Sequence, residues 1–371
     1  MGGIALQSTI FEYMGKYDYE NVFLCQDKSV GLRAVIAIHD TTLGPATGGC
    51  RMWTYEHEGA AIEDAMRLAR GMTYKYAAAG VNLGGGKVVV IGDPRKEKTE
   101  ALFRSLGRFI NRLGGLYITG EDVGTTLREM EYMRMETPYV ITLPASWGGA
   151  GPISGATALG VVEAMRAALE QAFGSESLSG RKVAVQGLGM VGYEAVRILR
   201  EAGATVYAGD IDPQKVTRVT VEFGAIPVDD PNAMHALDVD VYCPCALGAT
   251  INDQTIGDLR CKVVAGSANN QLHEERHGDM LQEKGIVYAP DYVANAGGTI
   301  YDTDRLLPGG MNHDRAMENV RRIRETTREV LRIAREEGIP TYRAADRYAE
   351  RRIAEVAKSK ALRASSDVRM G

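Results

Sequence analysis

Six residues, Gly187-Leu188-Gly189-Met190-Val191-Gly192, constrain this 371-residue chain more than any others. The β-branched run K-V-A-V-Q (182–186) precedes them and a helical pattern from Met190 to about Ala202 follows. A second strand, T-V-Y-A-G-D (205–210), then ends on an acid 23 residues after Gly187. A G-x-G-x-x-G alone is weak evidence, but strand, glycine turn, helix and acid at this spacing form a dinucleotide fingerprint. Gly187 permits the tight turn, Gly189 lets backbone approach a pyrophosphate, and Gly192 allows close helix packing. The helix N-terminus favours the phosphate charge. A carboxylate at Asp210 would accept hydrogen bonds from the adenosine ribose hydroxyls and repel a 2′-phosphate, so NAD is expected rather than NADP.

The alternation continues through V-D-V-Y-C (239–243), K-V-V-A-G (262–266) and I-V-Y-A (286–289), with helices expected after Pro213 and near 253–259 and 274–284. Strands alternating with helices imply parallel βαβ units and a doubly wound sheet. The segment 315–337 places Val320, Ile323, Thr327, Val330, Leu331 and Ala334 on one helical face and stops at Gly338, with Pro340 beyond. Before residue 140, R-A-V-I-A-I (33–38) and V-V-V-I (88–91) read as strands and 61–72 as a helix, an α/β unit of its own. The expectation is therefore an α/β protein of two domains: an N-terminal α/β substrate-binding and oligomerisation domain at 1–143 and a Rossmann-like doubly wound NAD domain at 144–336. C-terminal helices in 337–371 are expected to return to the first domain. The glycine-rich stretch 147–155 is the expected hinge, with the site in a cleft that closes.

Composition narrows the class. With 43 Lys+Arg against 48 Asp+Glu there is no basic block for nucleic acid, and no apolar stretch approaches the roughly 18 residues of a membrane span. Leu6 stands where myristoylation needs Ser or Thr. The five cysteines form no C-x-x-C pair and the six histidines are scattered, so neither disulfides nor a metal site is expected and a cytoplasmic location fits.

A second cluster carries chemistry. Gly84-Gly85-Gly86-Lys87 precedes an apolar strand, with Lys75 upstream in G-M-T-Y-K and Asp122 downstream in G-E-D-V-G. Val88 after the lysine excludes a Walker A loop. Three glycines in front of Lys87 let another backbone or a ligand come close, and a buried lysine beside a second cation has its pKa pushed down, which suits a base near neutral pH.

The motifs G-P-A-T-G-G-C-R-M (44–52), G-M-T-Y-K (71–75), G-G-G-K (84–87), E-D-V-G-T (121–125), P-C-A-L-G-A-T-I-N (244–252), A-N-N-Q-L (268–272) and Y-A-P-D-Y-V-A-N-A-G-G (288–298) resemble the amino-acid dehydrogenase family of glutamate, leucine, phenylalanine and valine dehydrogenases. The resemblance is strongest to the leucine dehydrogenases and runs in order from about residue 10 to about 360. It implies reversible oxidative deamination, in which an L-amino acid, NAD and water give a 2-oxo acid, NADH and ammonium. It implies further that Lys75 binds the substrate carboxylate, that Lys87 activates the water, and that Asp122 moves protons to and from the substrate nitrogen. Gly48, Gly49, Met72 and Val293 match substrate-site positions. Leu188, Met190, Val191 and Ala246 match cofactor positions, and Asn269 and Asn295 match residues that hold the nicotinamide ribose or the substrate. A homo-oligomer, dimer to octamer, is also implied.

The side-chain pocket departs from the family pattern. Thr47 replaces the lysine of glutamate dehydrogenases, which disfavours glutamate, and the usual leucine of the other branches, which makes that wall shorter and more polar. Gly120 stands where leucine dehydrogenases have alanine, which should enlarge the pocket. Thr299 replaces an apolar residue, and Y-D-T-D-R-L (301–306) departs from N-V-A-D-E-L. One methylene in such a pocket is worth about 1–3 kcal/mol, so a phenylalanine-type or broad-specificity enzyme is the alternative. A non-catalytic NAD-binding regulator is the alternative from another class, and retention of Lys75, Lys87 and Asp122 together argues against it.

Overall fold

The computed structural model describes residues 10–367, with side chains through Ser359, so the lipidation reading at Leu6 lies outside the described residues. Two compact units divide the chain. The first comprises residues 1–151, 305–311 and 349–371, and the second residues 152–304 and 312–348. The first boundary falls at 151/152 inside the glycine-rich stretch, rather than at 143/144.

The first unit runs α1 (Ile10–Tyr17), β1 (Asn21–Asp27), β2 (Leu32–Asp40), β3 (Ala46–Trp53), α2 (Glu58–Ala78), β4 (Gly84–Ile91), α3 (Glu100–Arg112), β5 (Tyr117–Glu121) and α4 (Leu127–Arg134). Its sheet has the order β1-β2-β4-β3-β5, antiparallel through β4 and parallel from β4 to β5. Alternation fixes what each face meets. Ala34, Ile36, Ile38, Val88 and Val90 point to Leu102, Phe103, Leu106 and Ile110 of α3, with Met130 and Met133 of α4. Val35, Ala37 and Val89 point instead to the small residues Ala61, Ala65 and Ala69 of α2. Lys87, two residues before Val89, therefore lies on the α2 side of the sheet.

The second unit runs α5 (Ser154–Phe173), β6 (Lys182–Gln186), α6 (Met190–Glu201), β7 (Thr205–Gly209), α7 (Pro213–Phe223), β8 (Ile226–Pro227), β9 (Val241–Pro244), β10 (Val263–Val264), α8 (Glu275–Glu283), β11 (Val287–Tyr288), α9 (Asp291–Ala294), α10 (Gly297–Thr303), α11 (His313–Arg321) and α12 (Ile323–Glu337). All its strand pairs are parallel, in the order β11-β10-β9-β6-β7-β8. Counted within the unit this is 3-2-1-4-5-6, the doubly wound dinucleotide order, with its reversal between β6 and β9.

Two local expectations change. Residues 253–258 form turns, not a helix, because the Asn252 side chain accepts the backbone N–H groups of Gln254 (2.9 Å) and Thr255 (3.2 Å). The 315–337 segment is two helices that meet at Arg322, and Gly338 ends the second with φ +65°. A single last helix, α13 (Thr341–Asp367), follows, and its residues from Ala349 onward belong to the first unit.

Candidate functional site

In the first unit, β4 carries Lys87, which is only 4% exposed. Its Nζ lies 2.7 Å from Oδ2 of Asp122, just past the end of β5. The same oxygen accepts from Nε of Arg51 on β3 at 3.1 Å. Arg51 Nη1 reaches Oδ2 of Asp64 on α2 at 3.0 Å, and Asp64 also accepts from the Tyr55 hydroxyl at 2.6 Å and from Arg67 at 2.8 Å. Burial alone would raise the Asp122 carboxyl, but Lys87 and Arg51 outweigh it and hold the group below the usual carboxylate range. The group that touches Lys87 is thus an anion, the acid of the same sequence cluster.

The cluster exists because neighbouring backbone leaves room for it. A Cβ on Gly49 would stand 2.6 Å from Cβ of Asp122 and 3.3 Å from Nζ of Lys87. Gly48 is as crowded, since a Cβ there would meet the Gly86 carbonyl oxygen at 1.8 Å and Cγ of Met72 at 3.4 Å. Tyr117 donates to the Gly48 carbonyl at 2.7 Å. The turn that bears Asp122 is tied to β3, because the Thr125 hydroxyl donates to the Cys50 carbonyl at 2.7 Å and accepts the Asp122 N–H at 3.1 Å. The structure thereby gathers Gly48, Gly49, Met72, Lys87 and Asp122. Lys75 lies three residues beyond Met72 near the end of α2, on the same side of the helix.

Of the two readings of the glycines before Lys87, another backbone or a ligand, close protein packing holds: a Cβ on Gly85 would stand 2.0 Å from Thr73 Oγ1 and 2.3 Å from its backbone nitrogen, and one on Gly86 2.7 Å from the Tyr117 ring. Thr47 is fully buried, and its hydroxyl donates to the Pro45 carbonyl at 3.3 Å. The space beside Gly120 is filled by Thr142 and Ile141, whose atoms stand 2.8 and 3.0 Å from the missing Cβ, so the glycine opens no extra room.

In the second unit the glycine turn sits at the strand-order reversal. Gly187 has φ +95°, and a Cβ there would meet Cβ of Ala246 at 2.6 Å. A Cβ on Gly192 would lie 1.9 Å from the Gly187 carbonyl oxygen, whereas nothing stands within 4 Å of one on Gly189. That bare residue is the N-cap of the 12-residue α6, so unpaired amides face outward. Asp210 accepts the Leu188 N–H at 2.6 Å and the Asp212 N–H at 2.9 Å, with Lys215 at 3.7 Å. Burial would raise its carboxyl, and these partners outweigh burial and lower it. The acid braces the turn, and two of its roughly four lone-pair sites are taken in doing so. A cleft of about 460 Å³ beside it is lined by Ser154, Leu188, Gly189, Met190, Tyr193, Lys215, Arg218 and Glu194, the last paired with Arg197 at 2.9 Å. Bare backbone, amide donors and two cations suit a dinucleotide diphosphate. Asn295 is buried and donates to the Asn269 side chain at 2.6 Å and to the Ser267 carbonyl at 3.2 Å, while Asn269 itself is exposed. Val293 is buried in α9. Among the described residues no three His, Cys, Asp or Glu side chains gather as a metal set.

Family profiles match nearly the whole chain: the Glu/Leu/Phe/Val dehydrogenase dimerisation domain over residues 20–139, and the Glutamate/Leucine/Phenylalanine/Valine dehydrogenase profile over 148–212 and 211–360. A leucine dehydrogenase of Bacillus cereus is 55% identical, covering 97% of this chain and 98% of its own. A phenylalanine dehydrogenase of Bacillus thermotolerans is 44% identical over 93% and 90%. The crystal structure of an L-tryptophan dehydrogenase from Nostoc punctiforme superposes with TM-score 0.84 at 42% identity, covering 94% of this chain and 99% of that one.

The chain belongs to the glutamate, leucine, phenylalanine and valine dehydrogenase family. It is an NAD-dependent amino-acid dehydrogenase of the leucine dehydrogenase type. Within the dehydrogenase, sequence reasoning missed Arg51 as the second partner of Asp122, and Asp64, itself bonded by Tyr55, as the other partner of Arg51. The available signal was a cation at Arg51 between Cys50 and Met52 on an otherwise apolar strand, which needs a buried counter-charge.

Proposed function

We propose that the enzyme deaminates leucine and related branched-chain or aliphatic L-amino acids, reversibly and with NAD, and that Lys87 and Asp122 do the proton work. The observation that carries this reading is their 2.7 Å contact, in a cluster that Gly49 admits because a Cβ there would stand 2.6 Å from Cβ of Asp122. Bound NAD supplies a hydride acceptor, and the protein supplies binding, orientation and proton transfer. The Lys75 ammonium, a point charge, suits the substrate carboxylate. Lys87 takes a proton from the water that attacks the iminium carbon, and Asp122 delivers one to the departing nitrogen. Because the two groups are hydrogen-bonded, a proton passes between them without bulk solvent. Gly187 to Gly192, Asp210, Ala246, Asn269 and Asn295 would hold the dinucleotide.

The identity of 55% to a leucine dehydrogenase against 44% to a phenylalanine dehydrogenase supports the aliphatic reading. So does the filling of the Gly120 space by Thr142 and Ile141. Absorbance at 340 nm with NAD and a panel of leucine, valine, phenylalanine and tryptophan tests it, with the largest kcat/KM expected for leucine or valine. Lys87→Ala should lower kcat by about 10²–10⁴-fold while NAD still binds. Normal turnover in that variant would refute the mechanism, and NAD binding without turnover on any amino acid would favour a regulator. A homo-oligomer in the cytoplasm completes the proposal. Exposed Phe11, Leu24 and Trp53 on the first unit supply apolar surface for self-association, which sedimentation would register. Among the described residues no helix is long and apolar enough to cross a membrane.

A further inference from the structure

Catalysis leaves unused a pair of thiols at the strand-order reversal. Cys243 lies in β9 beside Val185 of β6, Pro244 follows, and Cys245 begins the loop that reaches Ala246. Strand alternation puts residues two apart on one side, and the two sulfurs stand 3.6 Å from each other. Cys25, Cys50 and Cys261 are buried with no such neighbour among the described sulfur contacts, whereas Cys245 is only half-buried. Cys243 is fully buried behind it. The contact between the two sulfurs favours the thiolate on Cys245 and disfavours it on Cys243. A half-buried thiolate backed by a buried, protonated thiol is an attacking and resolving arrangement.

The pair is also mechanically joined to the dinucleotide turn. The Cys245 N–H donates to the Gln186 carbonyl at 2.7 Å, immediately before Gly187. Its Cβ lies 3.4 Å from where a Gly192 Cβ would stand, and the next residue, Ala246, fills the space beside Gly187. A disulfide needs its sulfurs about 2.05 Å apart, so closing the pair draws Cys245 toward Cys243 and moves the loop against which the glycine turn is packed.

We propose that Cys243 and Cys245 form a reversible dithiol–disulfide pair whose oxidation weakens NAD binding at the adjacent glycine turn. With hydrogen peroxide as oxidant, the Cys245 thiolate attacks one peroxide oxygen. An S–O bond forms, the O–O bond breaks, and the leaving hydroxide takes a proton to become water. The Cys243 sulfur then gives up its proton and attacks the Cys245 sulfur. The S–S bond forms, the S–O bond breaks, and a second water leaves. Two thiols lose two electrons and peroxide gains them, and a small dithiol reverses the change by exchange.

Purified full-length enzyme treated with peroxide, alkylated and digested should give a peptide bearing 243–245 that is unalkylated and about 2 Da lighter. Calorimetry should show NAD Kd raised about tenfold, restored by dithiothreitol. Cys243→Ala should bind NAD normally when reduced. After peroxide it should form a dimedone-trappable sulfenic acid at Cys245 in place of the disulfide. Two alkylated cysteines after peroxide, or a disulfide with unchanged NAD Kd, would overturn the proposal.

Discussion

Asp122 is the residue on which two cations converge, and its contribution to stability depends on pH with a definite sign. Lys87 and Arg51 hold its folded-state pKa below the ordinary value of about 3.9. A carboxylate depressed in this way stabilises the fold fully above its unfolded pKa and loses that contribution as pH falls through the folded value. Replacing it by asparagine leaves Lys87 and Arg51 facing an uncharged amide, with only Arg51 retaining Asp64. Loss of one partner of a fully buried pair costs about 3–5 kcal/mol, and the 22% exposure of the Asp122 side chain reduces this to about 2 kcal/mol. Urea denaturation should therefore show wild type more stable than Asp122→Asn by a constant margin between pH 6 and 8. The margin should shrink below about pH 4. A margin that widens on acidification would contradict the ion-pair assignment.

At the scale of elements, the turn between β6 and α6 is the most tightly specified piece. Alanine at Gly192 would place a methyl 1.9 Å from the Gly187 carbonyl oxygen. Neither backbone can yield without tilting α6, and overpacking of this kind costs about 1–3 kcal/mol. Gly192→Ala should therefore raise NAD Kd by roughly tenfold or more, since 1.4 kcal/mol is a factor of ten. An unchanged Kd by calorimetry would mean that the helix start plays no part in binding. This turn was legible in the sequence because its parts lie within one βαβ unit, where spacing alone decides geometry. The Lys87–Asp122 contact was half legible: each residue stood out in its own motif, but their meeting depends on β4 and β5 flanking β3, and sheet order is not local information. Arg51 signalled the need for a counter-charge, but that Asp122 and Asp64 supply it was illegible for the same reason. At Gly85, Gly86 and Gly120 a missing side chain announces that something comes close without saying what, and Gly120 was misread as added pocket space for that reason. Thr73, Tyr117 and Thr142 are the neighbours that fill those spaces.

Over the whole molecule, the path of the chain makes the two units unequal in independence. The second unit is one stretch, 152–348, interrupted only by residues 305–311. The first unit needs residues from both ends of the chain. Arg352 of α13 donates to the carbonyls of Ala77, Gly80 and Val81, at 3.2, 3.2 and 3.0 Å, and to the Asn82 side chain at 2.6 Å, which caps the carboxyl end of α2 with a cation. Ala349 packs on Leu43 and Ala77. A fragment of residues 152–348 should accordingly unfold cooperatively and gain stability from NAD, by about 2.7 kcal/mol when NAD is present at one hundred times its Kd. A fragment of residues 1–151 leaves the end of α2 uncapped and should melt below the same fragment supplied with 349–371 as a peptide. Thermal melts of both fragments, with and without their additions, measure this directly. If 1–151 is unaffected by the peptide, the C-terminal helix is an appendage. If it is stabilised, the first unit is built from chain segments more than two hundred residues apart, and it can be completed only after the NAD-binding unit has been synthesised.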